Sequence, residues 1–121
     1  MQNTIVLISP ESGGVVYISM LLEQAGYTVY KCSDANRLPQ LLQNHRCDLI
    51  IIDDRKPELN AVELYLDMQQ CPVTASFPTI LMMAVDEEGG TEDENRFNIL
   101  TRPILPHLLL NKVEKILAQS E

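Results

Sequence analysis

The stretch that decides the fold is Asp48-Leu49-Ile50-Ile51-Ile52-Asp53-Asp54-Arg55-Lys56-Pro57. Its unbroken aliphatic run is typical of a strand buried on both faces, as in a parallel sheet. Asp53 comes directly after this run, and Pro57 closes the following turn. In open α/β sheets, functional groups gather beyond the carboxyl ends of the strands. The stretch therefore predicts an acidic side chain at the chemically active edge of a parallel sheet.

Apolar strands and amphipathic helices alternate along the rest of the chain, which predicts one doubly wound α/β domain over residues 1–121. Besides the Asp53 strand, strands are expected near Ile5–Ile8, Tyr27–Cys32, Thr79–Ala84 and Phe97–Leu100. Helices are expected from Pro10 or Ser12 to about Ala25 with Gly26 as its stop, from Leu38-Pro39 to about His45, from Glu58 to Gln69, and from Pro106 to about Ala118. In the third of these helices, the side chains available for burial are Leu59, Val62, Leu66 and Met68.

The segment Val85–Arg96 has one apolar side chain and contains Gly89-Gly90. A helix there would bury almost no apolar face, so we expect a fourth helix that is shortened to a single turn or replaced by a mobile loop. The segment holds six of the chain's 17 acidic residues: Asp86, Glu87, Glu88, Glu92, Asp93 and Glu94. Two interpretations stay open, a solvated loop and a docking surface for a basic partner.

Composition excludes several classes of function. The net charge of -8 disfavours direct binding to nucleic acid or to an anionic membrane. No apolar run is long enough for a membrane span, and the N-terminus has no signal-peptide pattern, so a cytoplasmic location is expected. The three cysteines, Cys32, Cys47 and Cys71, form no metal-ligand spacing, and each is expected in a buried or half-buried position.

Three motifs in this order give the chain a resemblance to the receiver domains of bacterial response regulators. They are the segment from Leu21 to Val29 with Ala25-Gly26-Tyr27 inside it, the Asp53 strand with its Pro57, and Pro103 after the last strand. The resemblance implies a flavodoxin-like (βα)5 fold with a parallel five-stranded sheet. It also implies signalling through a protein partner, a histidine kinase or another signalling protein, and not enzymatic catalysis. Whether the chain forms a homodimer is left open.

The resemblance assigns Asp53 to the phosphoacceptor position of that family. The acidic pair that normally holds Mg²⁺ maps onto Ser9 and Pro10, and neighbouring Glu11 and Asp54 are the substitute acids. The remaining positions of the family's pocket and switch are changed as well: Met83 takes the hydroxyl position, Arg102 the lysine position before Pro103, and Ile99 the aromatic switch position. A cis peptide before Pro103 is also implied. We expect Asp53 to pair with Arg102.

Two functions follow from these departures. The first is a pseudo-receiver that binds a protein partner independently of phosphorylation, using the acidic segment and the surface around Ile99. The second is a working phosphoacceptor, in which Asp53 and Glu11 hold Mg²⁺. Because Mg²⁺ prefers several carboxylate and other oxygen ligands, we expect at most weak Mg²⁺ binding and no other cofactor. A third and weaker hypothesis is a flavin or phosphate site in the loop Ser9–Gly14, which lacks a full glycine-rich fingerprint.

Overall fold

Five parallel strands form one sheet in the order β2-β1-β3-β4-β5, which places the Asp53 strand at its centre. The computed structural model describes residues 3–10, 15–84 and 98–119. In chain order the strands are β1 (Thr4–Ile8), β2 (Thr28–Cys32), β3 (Leu49–Asp53), β4 (Thr79–Met83) and β5 (Asn98–Thr101). This order confirms the flavodoxin-like α/β fold predicted from the sequence.

Helices flank the sheet on both faces. They are α1 (Val15–Gln24), α2 (Leu38–Asn44), α3 (Ala61–Gln69), α4 (Pro72–Ala75) and α5 (Pro106–Gln119), and a 3₁₀ turn over Ala35–Arg37 precedes α2. Among the described residues, none of these helices combines the length and apolar character that a bilayer crossing requires. The predicted shortening of a helix between β4 and β5 concerns Val85–Arg96, which lies outside the described residues.

The boundaries of α1 and α3 refine the sequence predictions. Pro10 is not part of α1, and Ser12, the other predicted start, lies outside the described residues. Gly26 follows α1 with φ of 100°, which confirms it as the stop, because L residues rarely adopt that backbone conformation. Helix α3 begins at Ala61 and not at Glu58, because Asn60 caps it by accepting a hydrogen bond from the Glu63 backbone N–H at 3.0 Å.

Alternation along β3 divides the core into two clusters. Leu49 and Ile51 pack under α1 and α5, whereas Ile50 and Ile52 pack under α2 and α3. Since successive side chains on a strand point to opposite faces, Asp53 follows Leu49 and Ile51 onto the α1/α5 side of the sheet. This alternation decides which helices and strands surround the acidic site.

Two predictions of burial are wrong. Leu66 of α3 is 43% exposed, whereas Ala61 and Met68 of the same helix are buried, because the helix turns a narrow face towards the sheet. Cys71 is also exposed, since it lies at the N-terminus of the short helix α4, which the sequence pattern did not indicate. Cys32 is buried and Cys47 half-buried, and burial raises the pKa of the Cys47 thiol to about 11.

Candidate functional site

Asp53 is the last residue of β3 and its side chain is buried at the carboxyl edge of the sheet. The residue is 2% exposed and stands opposite Met82 of β4 in the strand register. A carboxylate in such a position needs hydrogen-bond donors or opposite charges to compensate for lost hydration. The segments that follow β1, β3 and β5 supply three such donors.

Ser9 and Arg55 both contact the same oxygen of Asp53. The Ser9 hydroxyl, directly after β1, donates to Asp53 Oδ2 at 2.8 Å, and Arg55 Nε donates to that oxygen at 2.9 Å. Arg55 is held by two backbone hydrogen bonds to Leu59, each 2.8 Å long, which close the turn between β3 and α3. The guanidinium therefore faces Asp53 from a turn that is itself fixed.

Arg102 contacts the other oxygen. Its Nη1 donates to Asp53 Oδ1 at 3.0 Å and to the Met82 carbonyl oxygen at 3.2 Å. The Arg102 backbone N–H also donates to the Met83 carbonyl oxygen at 2.8 Å, which anchors the residue just beyond β5. The predicted pairing of Asp53 with Arg102 is confirmed, as is the cis peptide before Pro103; Lys56-Pro57 is a second cis peptide.

The three contacts change the electrostatic character of the site. Asp53 carries one negative charge, and Arg55 and Arg102 carry two positive charges at hydrogen-bonding distance. Charge-assisted hydrogen bonds of this kind are shorter and stronger than neutral ones. The carboxylate is thus a partner in a cationic cluster, defined here as the lock: Ser9, Asp53, Arg55 and Arg102.

Asp54 lies outside the lock although it is adjacent in sequence. It is 2% exposed, its Oδ1 accepts a hydrogen bond from the Ala61 backbone N–H at 2.8 Å, and its Oδ2 is 3.7 Å from Lys56 Nζ. The carboxylate therefore satisfies a donor at the start of α3, where a negative charge is also favoured by the helix dipole. Its location gives it a structural role in the turn after β3.

Met83 and Ile99, which the resemblance assigned to the hydroxyl and switch positions, pack in the core cluster under α2 and α3. Met82 belongs to the cluster on the other side and, with Pro103, lines the cavity beside Asp53. The structure thus brings together Ser9, Asp53, Arg102 and Pro103, and it leaves the Met83 side chain on the other face of the sheet.

The described donor set does not fit a divalent cation. Mg²⁺ demands a near-octahedral shell of oxygens, usually with one or two carboxylates and several waters. Both oxygens of Asp53 already accept hydrogen bonds from guanidinium groups, which would repel a second cation. Within the described ranges, no three His, Cys, Asp or Glu side chains lie together as a metal site would require. Glu11 and the loop 11–14 are outside those ranges, so the metal and flavin predictions that involve them stay predictions.

A cavity of about 350 Å³ opens beside the lock. Asp53, Arg55 and Arg102 form its polar part, and its apolar wall consists of Tyr17, Ile18, Met82, Pro103 and Ile104. A volume of this size is within the range of small-ligand sites. The cavity combines two guanidinium groups with an apolar wall drawn from α1, β4 and the segment after β5.

Sequence reasoning missed Arg55, Met82 and Tyr17 as residues of the site. Arg55 follows Asp53 by two positions and so had the right parity to point the same way, but parity is unreliable once a strand has ended. The alternation of side chains along β4, compared with that along β3, could have indicated that Met82 and not Met83 lies on the same side of the sheet as Asp53. Nothing in the sequence distinguished Tyr17 from the other apolar residues of α1.

Comparisons with known proteins agree with this fold. No protein-family model matches the chain. Over all of its length it is 27% identical to the alkaline phosphatase synthesis transcriptional regulatory protein PhoP of Bacillus subtilis, and it spans 51% of that protein. The signal receiver domain of a signal transduction histidine kinase from Syntrophus aciditrophicus matches 97% of this chain and 91% of its own with a TM-score of 0.81 and 20% identity. The receiver domain of Francisella response regulator 1452 matches 99% and 100% with a TM-score of 0.82 and 17% identity.

The strand order, the acidic residue at the end of β3 and these similarities make the chain similar to the response-regulator receiver domains of two-component signalling. Receiver domains are signalling domains and not enzymes. The chain spans about half the length of PhoP.

Proposed function

We propose that this chain is a pseudo-receiver, which signals by binding a protein partner and not by accepting a phosphoryl group. The observation that carries the proposal is the lock, in which both oxygens of Asp53 are held by Ser9, Arg55 and Arg102. Attack on a phosphodonor needs a carboxylate oxygen that is free to reach phosphorus. Here each oxygen is already an acceptor of a charge-assisted hydrogen bond.

Loss of the family's metal ligands supports the same conclusion. Phosphoryl transfer relies on cations positioned to offset charge on the transferring group. Ser9 offers a hydroxyl already engaged with Asp53, and Pro10 has no polar side-chain atom. Two guanidinium groups replace part of the missing positive charge, but they bind the acceptor carboxylate itself and not an incoming phosphoryl group. Such charge stabilises the resting carboxylate and makes it a poorer nucleophile.

The switch residues support a fixed conformation. Met83 has no hydroxyl to hydrogen-bond a phosphoryl oxygen, and Ile99 has no ring to reorient. Both pack in the same cluster against the α2/α3 side of the sheet. A modification at Asp53 would therefore lack the hydroxyl and the aromatic ring through which it could change the conformation of β5.

The direct test is incubation with Mg²⁺ and acetyl phosphate, and separately with beryllofluoride. We expect no Asp53-dependent mass increase of one phosphoryl group and no change in the amide NMR spectrum with beryllofluoride. A phosphorylatable receiver treated in parallel shows that the reagents are active, and Asp53→Asn reveals any labelling at other residues. Stoichiometric labelling that disappears in Asp53→Asn and alters partner binding would overturn the proposal.

The second candidate function is that of a Mg²⁺-dependent phosphoacceptor served by a histidine kinase. Its support is the placement of Asp53 at the carboxyl end of β3 beside an open cavity. In that case Glu11 supplies a second carboxylate for the metal, and the guanidinium groups swing aside when the donor binds. The labelling experiment distinguishes the two functions without ambiguity.

We further propose that the partner is a cytoplasmic signalling protein that docks on the side of the sheet formed by β5 and the start of α5. Leu105 and Leu108 are 46% and 47% exposed there, and they line one shallow cavity together with the half-buried Ile99. The acidic residues Asp86, Glu87, Glu88, Glu92, Asp93 and Glu94 precede β5 in sequence and would favour a basic partner.

Neutralising these six acids to their amides is expected to reduce capture of the native partner severalfold, and the effect should shrink at high salt. The measurement is a quantitative pull-down with the native and neutralised chains at two salt concentrations. Asp53→Ala serves as the control and should capture the partner as the native chain does. Equal capture by the native and neutralised chains would remove the acidic segment from the proposed interface.

A further inference from the structure

We propose that the cavity beside the lock binds a small organic anion, namely a carboxylate carried on an aromatic or apolar body. This site goes beyond the signalling function proposed above, since it needs neither a phosphoryl group nor Mg²⁺. The cavity of about 350 Å³ is large enough for a ligand of one aromatic ring with a carboxylate. The lining residues named above lie within the described part of the chain.

The polar surface that the cavity presents is cationic. The side chains of Arg55 and Arg102 are 35% and 25% exposed, whereas that of Asp53 is only 3% exposed. The carboxylate is hidden behind the two guanidinium groups that bind it. An entering ligand therefore meets positive charge first, and the three groups together carry a net charge of plus one.

Hydrogen-bonding capacity remains on both arginines. Arg55 uses Nε for Asp53, and Arg102 uses Nη1 for Asp53 and for the Met82 carbonyl oxygen. A guanidinium group has five N–H donors. The hydrogen bonds described above use one nitrogen of each group, so a carboxylate can receive hydrogen bonds from the others without breaking the lock. Planar carboxylates suit this geometry particularly well.

The apolar wall determines what the anion must carry. Ile18, Met82 and Ile104 offer aliphatic and thioether surface, and Tyr17 of α1, a residue that is 53% exposed, contributes an aromatic ring. An inorganic anion would leave this wall in contact with water, whereas an apolar or aromatic body would cover it. The wall therefore favours an organic carboxylate over free phosphate.

The test is an amide NMR titration of the whole chain with benzoate, with benzamide and with inorganic phosphate. Benzoate should shift the amide signals of cavity residues and saturate with a Kd on the order of 1 mM, as expected for so small a ligand. Benzamide has the same shape without the charge and should bind about tenfold more weakly, since a charge-assisted contact is lost. Phosphate should also bind about tenfold more weakly, since it leaves the apolar wall uncovered.

Variants separate the two halves of the site. Arg55→Gln should weaken benzoate binding about tenfold, and Tyr17→Ala should weaken it severalfold. Met20→Ala is the matched control, because Met20 is a 51% exposed residue of the same helix that does not line the cavity.

Any one of these results would overturn the proposal: no saturable shift with benzoate, equal binding of benzamide, equal binding of phosphate, or equal effects of Tyr17→Ala and Met20→Ala. The titration contains no Mg²⁺ or phosphodonor, so its outcome is independent of the labelling experiment.

Discussion

Four substitutions, three in the lock and one at neighbouring Pro10, are expected to give the chain a Mg²⁺-dependent beryllofluoride binding that we do not expect of the native chain. They are Ser9→Asp, Pro10→Asp, Arg55→Gln and Arg102→Lys. The first two supply carboxylates next to Asp53, and the third removes the guanidinium that contacts Asp53 Oδ2 at 2.9 Å. The fourth replaces a planar fork with the compact, flexible charge of an ammonium group. Together they exchange a cationic site for an anionic one.

The expected effect is large because it depends on charge. At about 4 Å and an effective dielectric constant near 20, each pair of opposite unit charges contributes about 4 kcal/mol. After discounting for desolvation, each added carboxylate should tighten Mg²⁺ binding by about tenfold or more. The measurement is titration of Mg²⁺ followed by beryllofluoride, monitored through amide NMR signals near β3 and β4. The variant should respond at millimolar Mg²⁺, where the native chain should not.

Two controls make this experiment decisive. Adding Asp53→Asn to the four substitutions should abolish beryllofluoride binding, because the acceptor oxygen is replaced by an amide. Ser9→Asp combined with Arg102→Lys is a milder variant, useful because Pro10 is buried and a carboxylate there can impair folding. Thermal unfolding shows which variants are folded. A native chain that binds beryllofluoride as tightly as the variant would refute the role assigned to the lock.

Asp53→Ala is expected to destabilise the fold by about 1–3 kcal/mol. The residue is 2% exposed and its removal leaves Ser9, Arg55 and Arg102 without their common acceptor. The arginine side chains are 35% and 25% exposed, so water can solvate them partly, and the loss should fall below that for a fully buried ion pair. The expected decrease in Tm is several degrees.

The sign of this change distinguishes the two candidate functions. In a site built of neighbouring carboxylates, removal of one acid relieves repulsion between like charges and should stabilise the protein. In the lock, Asp53 is the only carboxylate among three donors, so its removal should destabilise the protein. Chemical denaturation of Asp53→Ala gives the free energy of unfolding. Asp67→Ala, on the exposed face of α3, is the control and should stay within about 0.5 kcal/mol of the native chain.

A double-mutant cycle assigns the stabilisation to its source. Asp53→Ala, Arg102→Gln and their combination should show a coupling free energy of about 1 kcal/mol or more, because the two side chains share a hydrogen bond of 3.0 Å. A stabilising Asp53→Ala, or a coupling near zero, would contradict the structural role of the ion pair.

The fold could be predicted well from the sequence, because in a chain of this size an aliphatic run such as Leu49–Ile52 has few alternatives to a buried strand. The sequence also predicted the Asp53–Arg102 contact, since Asp53 ends β3 and Arg102 follows β5, and the carboxyl ends of these strands lie at one edge of the sheet. The short helix Pro72–Ala75 was missed because four residues are too few to show a period. Cys71 was misplaced for the same reason, as its exposure follows from that helix.

The arrangement within the site was harder to predict than its location. Arg55 contacts Asp53 because the turn after β3 is closed by backbone hydrogen bonds to Leu59, and a sequence pattern does not specify such bonds. The resemblance directed attention to Met83, while the register of β3 with β4 sets Met82 opposite Asp53. Contacts made by residues beyond a strand end depend on tertiary structure, which overrides local periodicity.

The shared acceptor at Asp53 has a consequence for genetics. Asp53→Glu is the simplest imitation of a phosphorylated aspartate at this position, because it carries the negative charge farther from the backbone. Here a glutamate would keep the negative charge, add one methylene group, and face the same three donors within hydrogen-bonding reach. Under the proposed pseudo-receiver function, a phenotype of such an allele would report a repacked ion pair, and an allele that removes Arg55 would be the more informative one to make.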